Sequence, residues 1–192
     1  MNTHTDLDTQ LMLRCKKGDQ AAVASLFEKH HQNIFRFCYR TLMDTSDAQK
    51  IVHETFVEMC NPSPQCNPNK KVSTLLYTIA SNLCMKKLKT DKYVRLTKIA
   101  EGEGHFLAEN LSTSSPLASE VELDRQETAQ KVMRALKLLE PSLRIPLILS
   151  RYHGLTNHDI CDIVGCNTSE VQVIIRNAQV FVAQKIKPHR DS

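Results

Sequence analysis

The chain has 192 residues and a formal net charge of +4, with 41% hydrophobic and 24% charged residues, a composition typical of a soluble globular protein. Its apolar runs fall far short of the ~20 residues that a membrane span needs, and the start of the chain shows no signal-peptide pattern. Five glycines and no tryptophan leave little material for a turn-rich β protein. The sequence therefore predicts an all-α, cytoplasmic protein.

The seven cysteines are spaced irregularly, so we expect free thiols rather than a disulfide framework. His153 and His158 lie near Cys161 and Cys166 in the sequence, so one interpretation is a metal site there. The alternative is that Cys161 is a small core residue. Zinc sites usually show tighter paired spacing. The sequence predicts neither a metal nor any other cofactor.

Charge is distributed unevenly and divides the chain into three parts. Residues 1–95 carry 14 Lys and Arg against 9 Asp and Glu, residues 96–120 carry one against four, and residues 121–192 carry 10 against 8. Two basic blocks joined by an acidic segment are compatible with nucleic-acid contact at both ends. The predicted organisation is a domain over 1–92, a linker over 93–118 and a second domain over 119–192.

Apolar residues at three- and four-residue spacing predict four helices in the first domain. Asp6 or Asp8 is the expected cap of the first helix, and Asp19 is the expected cap of the second. The first helix contains Leu7 and Cys15 and ends before Gly18, and the second is about 24 residues long. The third begins at Thr45 or Ser46, and the fourth runs over about 72–89, after a proline-rich loop over 61–69.

Residues 93–118 interrupt this helical pattern. Two glycines and a polar Ser/Thr run offer few apolar anchors, so we expect a flexible acidic linker between two domains that move independently. Helices resume over about 117–139, and another begins at Pro141. Pro146 should kink or delay that helix.

The most specific local pattern lies in the second domain. Thr156 caps a short helix over 157–164, Gly165 makes a turn, and a longer helix continues to about Ile186. A short helix, a glycine turn and a longer helix are typical of a DNA-binding helix-turn-helix. A plain helical hairpin is the alternative.

Several motifs occur together in a familiar order. Lys17-Gly18-Asp19 precedes a long helix, Asp47–Phe56 forms an amphipathic segment, Leu76–Asn82 follows, and Leu136–Ile186 carries the helix-turn-helix. In this order they resemble bacterial RNA polymerase sigma factors of the extracytoplasmic-function (ECF) group, the short two-domain type of sigma-70-like factor. In that family the second of these motifs lies in the core-binding helix and the third in the promoter-melting helix.

The resemblance implies a subunit without catalytic chemistry that binds core RNA polymerase and directs transcription initiation. Its first domain would dock on the β′ subunit and open the −10 element, and its second would contact β and read the −35 element. The resemblance also implies an anti-sigma factor as a partner, and no membrane insertion is expected. The predicted polymerase-binding residues are Asp47, Ile51, Val52, Glu54 and Phe56.

Within this set, Asp47 and Glu54 are expected to face the partner and to matter little for folding. For Ile51 and Phe56, the alternative to polymerase binding is that they are internal core residues. Promoter DNA needs cations for its phosphates and groups that hold an unstacked base. The predicted DNA-binding residues are Lys70, Lys71, Tyr77, Asn82, Lys86 and Lys87 in the first domain and Thr168, Ser169, Glu170, Gln172 and Arg176 in the second. The alternative for Tyr77 is a position in the core. The alternative for the lysines is a solvated surface without a DNA contact.

The chain also departs from the family pattern. Leu75 stands where the family usually has tryptophan, and Thr78 and Ser81 stand where it usually has basic residues. The recognition helix carries only Arg176 and Lys185 as cations, so it should bind DNA weakly alone. The small number of cations on this helix supports a second interpretation. The protein would be a sigma-like decoy that binds an anti-sigma factor or polymerase without directing transcription from promoters.

A third reading is a helix-turn-helix repressor with a sensor domain, which would not need a core-binding helix. An enzyme is disfavoured, because the sequence shows no nucleophile–base pairing and no phosphate-binding loop.

Overall fold

A computed structural model describes residues 7–60, 71–100 and 120–186. Throughout these ranges all regular secondary structure is α-helical, which confirms the predicted fold class. The helices are α1 (Leu7–Cys15), α2 (Gln20–Leu42), α3 (Thr45–Cys60), α4 (Val72–Ala100), α5 (Glu120–Leu138), α6 (Pro141–His153), α7 (Asn157–Val164) and α8 (Thr168–Ile186).

Local capping chemistry sets several of these boundaries. The Asp19 carboxylate accepts hydrogen bonds from the N–H groups of Ala21 and Ala22 and so begins α2. Met43 ends α2 in the left-handed region at φ 60°. The carboxylate of Asp44 then accepts the Asp47 N–H at 2.7 Å, so that a two-residue turn passes directly into α3.

Three boundaries differ from the sequence expectations. α4 continues to Ala100, past the predicted start of the linker at 93, because no glycine or proline interrupts 93–100. α6 begins at Pro141 with Pro146 inside it, so Pro146 does not delay the helix. Asp8 lies inside α1 rather than at its cap. The rest of the predicted linker, 101–118, lies outside the described residues, as does the predicted loop at 61–69.

The first unit, α1–α4, is built around α2. α2 packs on α1, α3 and α4, and its inward side chains Leu26, Ile34 and Phe37 are 0–1% exposed. This agrees with the apolar spacing that predicts the helix. The second unit, α5–α8, surrounds Leu136, Ile148, Leu149, Ile160 and Val171, all of which are fully buried.

The two units pack against each other. α6 lies on α2, α7 lies on α4, and the buried side chains of both units form one continuous cluster. That the two domains move independently when no partner is bound stays a prediction. The contact between them joins distant segments, which helical periodicity along one segment cannot reveal.

A buried cation lies where the two units meet. Arg144 of α6 is 5% exposed. Its guanidinium donates to the carbonyls of Lys137 and Leu139 at 2.8 Å each and to the Thr41 carbonyl of α2 at 2.7 Å. These carbonyls lie at the C-terminal ends of α5 and α2, where backbone acceptors lack helical partners and carry partial negative charge.

A second buried charge fixes α1. Asp8 is 5% exposed, and its carboxylate oxygens lie 2.6 Å from Lys29 Nζ and 2.9 Å from His30 Nε2 on α2. Burial by itself raises the pKa of Asp8, but the contacts with Lys29 and His30 outweigh it and hold that pKa below its usual value. Folding therefore favours the ionised carboxylate of Asp8 over its protonated form.

We expect Arg144→Ala to lower the free energy of unfolding by about 2–4 kcal/mol, because it leaves buried carbonyls without donors. Urea denaturation measures the change. Arg151→Ala is the matched control, since Arg151 is an exposed cation on the same helix. Equal stability of the two variants would contradict the structural role of Arg144.

Asp8→Asn should lower the free energy of unfolding by about 1–2 kcal/mol at pH 7. Because folding lowers the pKa of Asp8, its contribution is present above the unfolded pKa of about 3.9 and is lost as the pH falls through the folded value. The difference between wild type and variant should thus shrink in acid. Urea denaturation from pH 7 to pH 3 tests this, with the exposed Glu58→Gln as the control.

Candidate polymerase and nucleic-acid interfaces

An open groove runs along the surface between α2 and α3. Two adjoining depressions form it, and both include Phe27 and His53. Phe27 is 38% exposed and Val57 is 47% exposed, although both are large and apolar. Exposed apolar side chains gathered in one groove are typical of a protein-binding surface. The other lining residues are Gln20, Val23, Ala24, Glu28, His31, Gln32, Phe35, Arg36, Gln49, Val52, Phe56 and Cys60.

The structure separates the five predicted polymerase-binding residues. Val52 and Phe56 line the groove but are only 7% and 5% exposed, whereas Ile51 is 5% exposed and does not line it. Glu54 is exposed on α3. Sequence reasoning did not identify Phe27 and Val57 as surface residues, because each has buried apolar neighbours on its own helix. Only the packing of α2 on α3 shows that these two side chains are exposed.

Asp47 is half-buried and forms an ion pair with another predicted site residue. Its carboxylate lies 3.1 Å from Lys87 Nζ on α4, and Lys87 also lies 3.2 Å from Asp91. Hydrogen bonds to Asp47 and Asp91 raise the pKa of Lys87. The role of Asp47 in polymerase binding stays a prediction, and this carboxylate also links α3 to α4.

The remaining cationic and polar positions of the first unit lie mainly on its surface. Asn82 and Lys86 are exposed one turn apart on α4, and Lys71 is exposed just before that helix begins. Residues four apart share a helix face, so Asn82 and Lys86 form one polar strip. Lys70 lies outside the described residues.

Tyr77, in contrast, is a core side chain in this arrangement. It is 6% exposed, and its hydroxyl lies 2.8 Å from Nδ1 of His153 at the end of α6. Its ring packs edge-on against Phe37 and His153. Burial raises the pKa of Tyr77 to about 12. The core alternative is thus what the structure shows, and the ring is not available to DNA while the units are packed.

The helix-turn-helix forms as its sequence pattern predicts. Thr156 and Asp159 form a reciprocal capping box at the start of α7. Gly165 makes the turn at φ 76°, a backbone conformation that favours glycine. The Cys161 thiol donates to the Thr168 hydroxyl at 3.6 Å across the two helices, and Cys161 is half-buried.

The start of α8 has its own capping box, formed by Asn167 and Glu170. Asn167 Oδ1 accepts the Glu170 N–H at 2.9 Å, and Glu170 Oε2 accepts the Asn167 N–H at 2.9 Å. The Glu170 carboxylate is therefore engaged in capping rather than free to accept from cytosine. Its negative charge also competes with a phosphate at this helix start.

The outer face of α8 is exposed and mixed in character. Ser169, Gln172 and Arg176 are exposed, and so are the apolar Val173 at 58% and Val180 at 50%. Helical spacing places these five side chains on one face. Thr168 is exposed beside them. Val171, Ile175 and Ala178 pack the opposite face into the second unit.

No group of His, Cys, Asp and Glu within the described ranges has three members placed to hold a metal ion. Of the seven cysteines, Cys15, Cys38, Cys60, Cys84, Cys161 and Cys166 are free thiols, and Cys66 lies outside those ranges. None of the helices in the described segments combines the length and apolarity that a membrane span requires.

Comparison with known proteins shows similarity to sigma factors. Residues 26–92, which include most of α2, all of α3 and the first part of α4, match the family model of sigma-70 region 2. The ECF RNA polymerase sigma factor SigW of Bacillus subtilis (strain 168) is 26% identical over 176 residues, covering 90% of this chain and 92% of SigW. The ECF RNA polymerase sigma-E factor of Escherichia coli (strain K12) is 24% identical over 192 residues, covering 94% and 95%.

Two solved structures share the fold. CnrH, solved in complex with the cytosolic domain of CnrY, has a TM-score of 0.65 at 18% identity and matches 93% of this chain and 96% of its own. The sigma factor RpoE from Bartonella quintana, solved with the anti-sigma factor NepR, has a TM-score of 0.63 at 15% identity, with 87% and 98% covered.

Residues 26–92 thus match sigma-70 region 2. Over nearly its whole length the chain is similar to ECF RNA polymerase sigma factors. This similarity confirms the resemblance seen in the sequence motifs.

Because Asp47 pairs with Lys87, Asp47→Ala should lower the free energy of unfolding by about 0.5–1 kcal/mol, the range of a partly exposed ion pair. Glu54→Ala is the matched control on the same helix and should change it by less than about 0.5 kcal/mol. Thermal and urea unfolding of the two single variants measure the difference. Equal stabilities would argue that the Asp47–Lys87 pair is not maintained in solution.

Proposed function

We propose that the protein is an alternative sigma factor that binds core RNA polymerase and directs promoter recognition. It contributes no catalytic step of its own and acts in the cytoplasm, where the polymerase is found. The observation that carries the proposal is the coincidence of region 2 with the α2–α3 groove: the helices that match the family also present an exposed apolar surface.

The groove is the proposed docking surface for the β′ subunit. Phe27 and Val57 offer apolar area at its edge, and Val52 and Phe56 provide its floor. Glu54 is exposed on the same helix as Val57 and supplies a carboxylate for a basic partner. An apolar centre with charged groups around it is typical of protein interfaces.

DNA contact is proposed at two places. The strip of Asn82 and Lys86, with Lys71 nearby in sequence, would bind the −10 region, and Tyr77 would join them only after the two units separate. On α8, Gln172 can pair with adenine and Arg176 can hold a phosphate. Val173, on the same face, fits a thymine methyl group.

Regulation by an anti-sigma factor is the remaining part of the proposal. Both structural neighbours named above were solved with such a partner or with a partner's cytosolic domain. The exposed Val173 and Val180 give α8 an apolar face of the kind that a protein partner covers.

The decoy reading is the second candidate function. It is favoured by the recognition helix, whose two cations are Arg176 and Lys185 and whose Glu170 carboxylate is engaged in capping. A decoy would bind polymerase through the same groove but start no transcript. Transcription assays separate the two functions where binding assays do not.

The test is run-off transcription by core RNA polymerase on a library of promoter sequences, with and without the protein. We expect promoter-dependent transcripts from wild type. Val57→Glu should reduce core binding at least about tenfold, equivalent to about 1.4 kcal/mol, because it places a carboxylate in the apolar groove. Leu13→Glu is the control, since Leu13 is 48% exposed on α1 outside the groove.

Two variants of α8 refine the result. Arg176→Ala should lower transcription on promoters of every sequence, whereas Gln172→Ala should change the preferred −35 sequence. Core binding without any transcript would establish the decoy instead. Full core binding by Val57→Glu would show that polymerase docks elsewhere.

A further inference from the structure

The C-terminal half of α2 carries arginine and aromatic side chains on adjoining faces. Phe35 and Tyr39 lie four residues apart, as do Arg36 and Arg40, so the members of each pair share a helix face. The Phe35 and Tyr39 rings are stacked, with centroids 6.2 Å apart. Phe35 and Arg36 also line the end of the α2–α3 groove, whereas Tyr39 and Arg40 do not line it. The pattern therefore continues past the proposed docking surface.

The end of α6 extends this pattern onto the second unit. The Arg40 guanidinium lies 4.5 Å from the centre of the Tyr152 ring, a cation–π distance. Tyr152 remains 43% exposed in spite of this contact, and the adjacent Arg151 is exposed as well. We call the set of Arg36, Tyr39, Arg40, Arg151 and Tyr152 the arginine–tyrosine surface.

The positive charge of this surface is not neutralised by acidic side chains. Among the described residues, no carboxylate forms an ion pair with Arg36, Arg40 or Arg151. Like charges four residues apart destabilise a helix, so Arg36 and Arg40 have a cost for folding. Burial, followed by the charges of Arg40 and Arg36, lowers the pKa of His153 to about 4. Unpaired cations gathered in this way attract an anionic partner.

Arginine and tyrosine together fit a single-stranded nucleic acid better than an acidic peptide. A guanidinium group can bind a phosphate through two parallel hydrogen bonds. An aromatic ring stacks on a base that is not enclosed in a duplex. An acidic peptide would use the arginines but would have no use for the exposed Tyr152 ring.

The tyrosine hydroxyls favour RNA over DNA. Within the part of the chain that the structure describes, neither Tyr39 nor Tyr152 hydrogen bonds through its hydroxyl to a protein group, in contrast to Tyr77. A free phenolic hydroxyl can donate to or accept from a ribose 2′-hydroxyl, the group by which a protein distinguishes RNA from DNA.

We propose that the arginine–tyrosine surface binds single-stranded RNA. Arg36, Arg40 and Arg151 hold phosphates of the RNA backbone. Tyr152 stacks on a base, and the hydroxyls of Tyr152 and Tyr39 bind ribose. This surface is separate from the DNA positions proposed on α4 and α8, and its activity does not depend on transcription by polymerase.

The first test measures the phosphate contacts with a fluorescein-labelled RNA of about 12 nucleotides and mixed sequence, followed by anisotropy with the full-length protein. Arg40→Gln/Arg151→Gln should weaken binding about tenfold. It should also reduce the slope of log affinity against log salt by about 1.4, because each lost phosphate contact on a single strand contributes about 0.7.

The matched control is Lys16→Gln/Lys17→Gln. It removes the same charge from two exposed lysines near the opposite end of α2, so it should bind the RNA as wild type does. Equal losses in the two double variants would show an effect of net charge alone and would overturn the proposal. Absence of RNA binding by wild type would do the same.

The second test separates the ring of Tyr152 from its hydroxyl and uses a DNA strand of the same sequence. Wild type should prefer RNA about three- to tenfold, the range of one net hydrogen bond. Tyr152→Phe should reduce this preference while leaving DNA affinity unchanged, and Tyr152→Leu should weaken both strands about tenfold through lost stacking. Equal affinity of wild type for the two strands would overturn the assignment to RNA.

The third test uses unaltered protein, so it does not depend on the folding of a variant. RNA that contains 5-iodouridine is cross-linked by ultraviolet light, and mass spectrometry locates the adducts. They should lie on Tyr152 or Tyr39, and adducts confined to α4 or α8 would overturn the assigned surface. Polyglutamate at equal charge should displace this RNA poorly, and equal displacement would indicate a site for acidic peptides instead.

These outcomes are separable from those of the proposed function. Val57→Glu, designed to weaken polymerase docking, should bind RNA as tightly as wild type. If wild type forms RNA adducts on Tyr152 but gives no promoter-dependent transcript, the sigma activity fails alone. If transcription proceeds and these adducts are absent, the RNA-binding surface fails alone.

Discussion

The packing of this protein depends on one buried cation. Arg144 lies where α5 turns into α6 and where α2 ends, and its guanidinium donates to carbonyls from both places. Taking a guanidinium out of water is costly, and burial lowers its pKa. The partial negative charge at two helix ends offsets that cost. One side chain thus fixes the α5–α6 turn and binds the second unit to the first.

The α2–α3 groove and the interior of the molecule have opposite requirements. A docking surface must expose apolar groups such as Phe27 and Val57, although their burial would stabilise the fold. α2 serves both purposes, since Leu26, Ile34 and Phe37 face the core. The contact between the two units adds to this, because Phe37 on the inner side of α2 also packs against His153 of the second unit.

How far the sequence predicts the structure depends on the range of the interaction. The caps at Asp19 and Thr156 and the turn at Gly165 act within a few residues, and sequence reasoning identified them. Asp47 and Tyr77 were assigned to partners because their true neighbours, Lys87 and His153, lie 40 and 76 residues away. A pattern read along one helix gives its apolar face but not which distant helix covers it.

The capping box at the start of α8 has a consequence for how this protein can diverge. Glu170 and Asn167 are committed to each other, so a change at either position alters helix stability first. Gln172, Val173 and Arg176 have exposed side chains on the same helix. Selection for new DNA sequences can therefore act on these three positions at little cost to folding, while position 170 stays constrained by the backbone it caps.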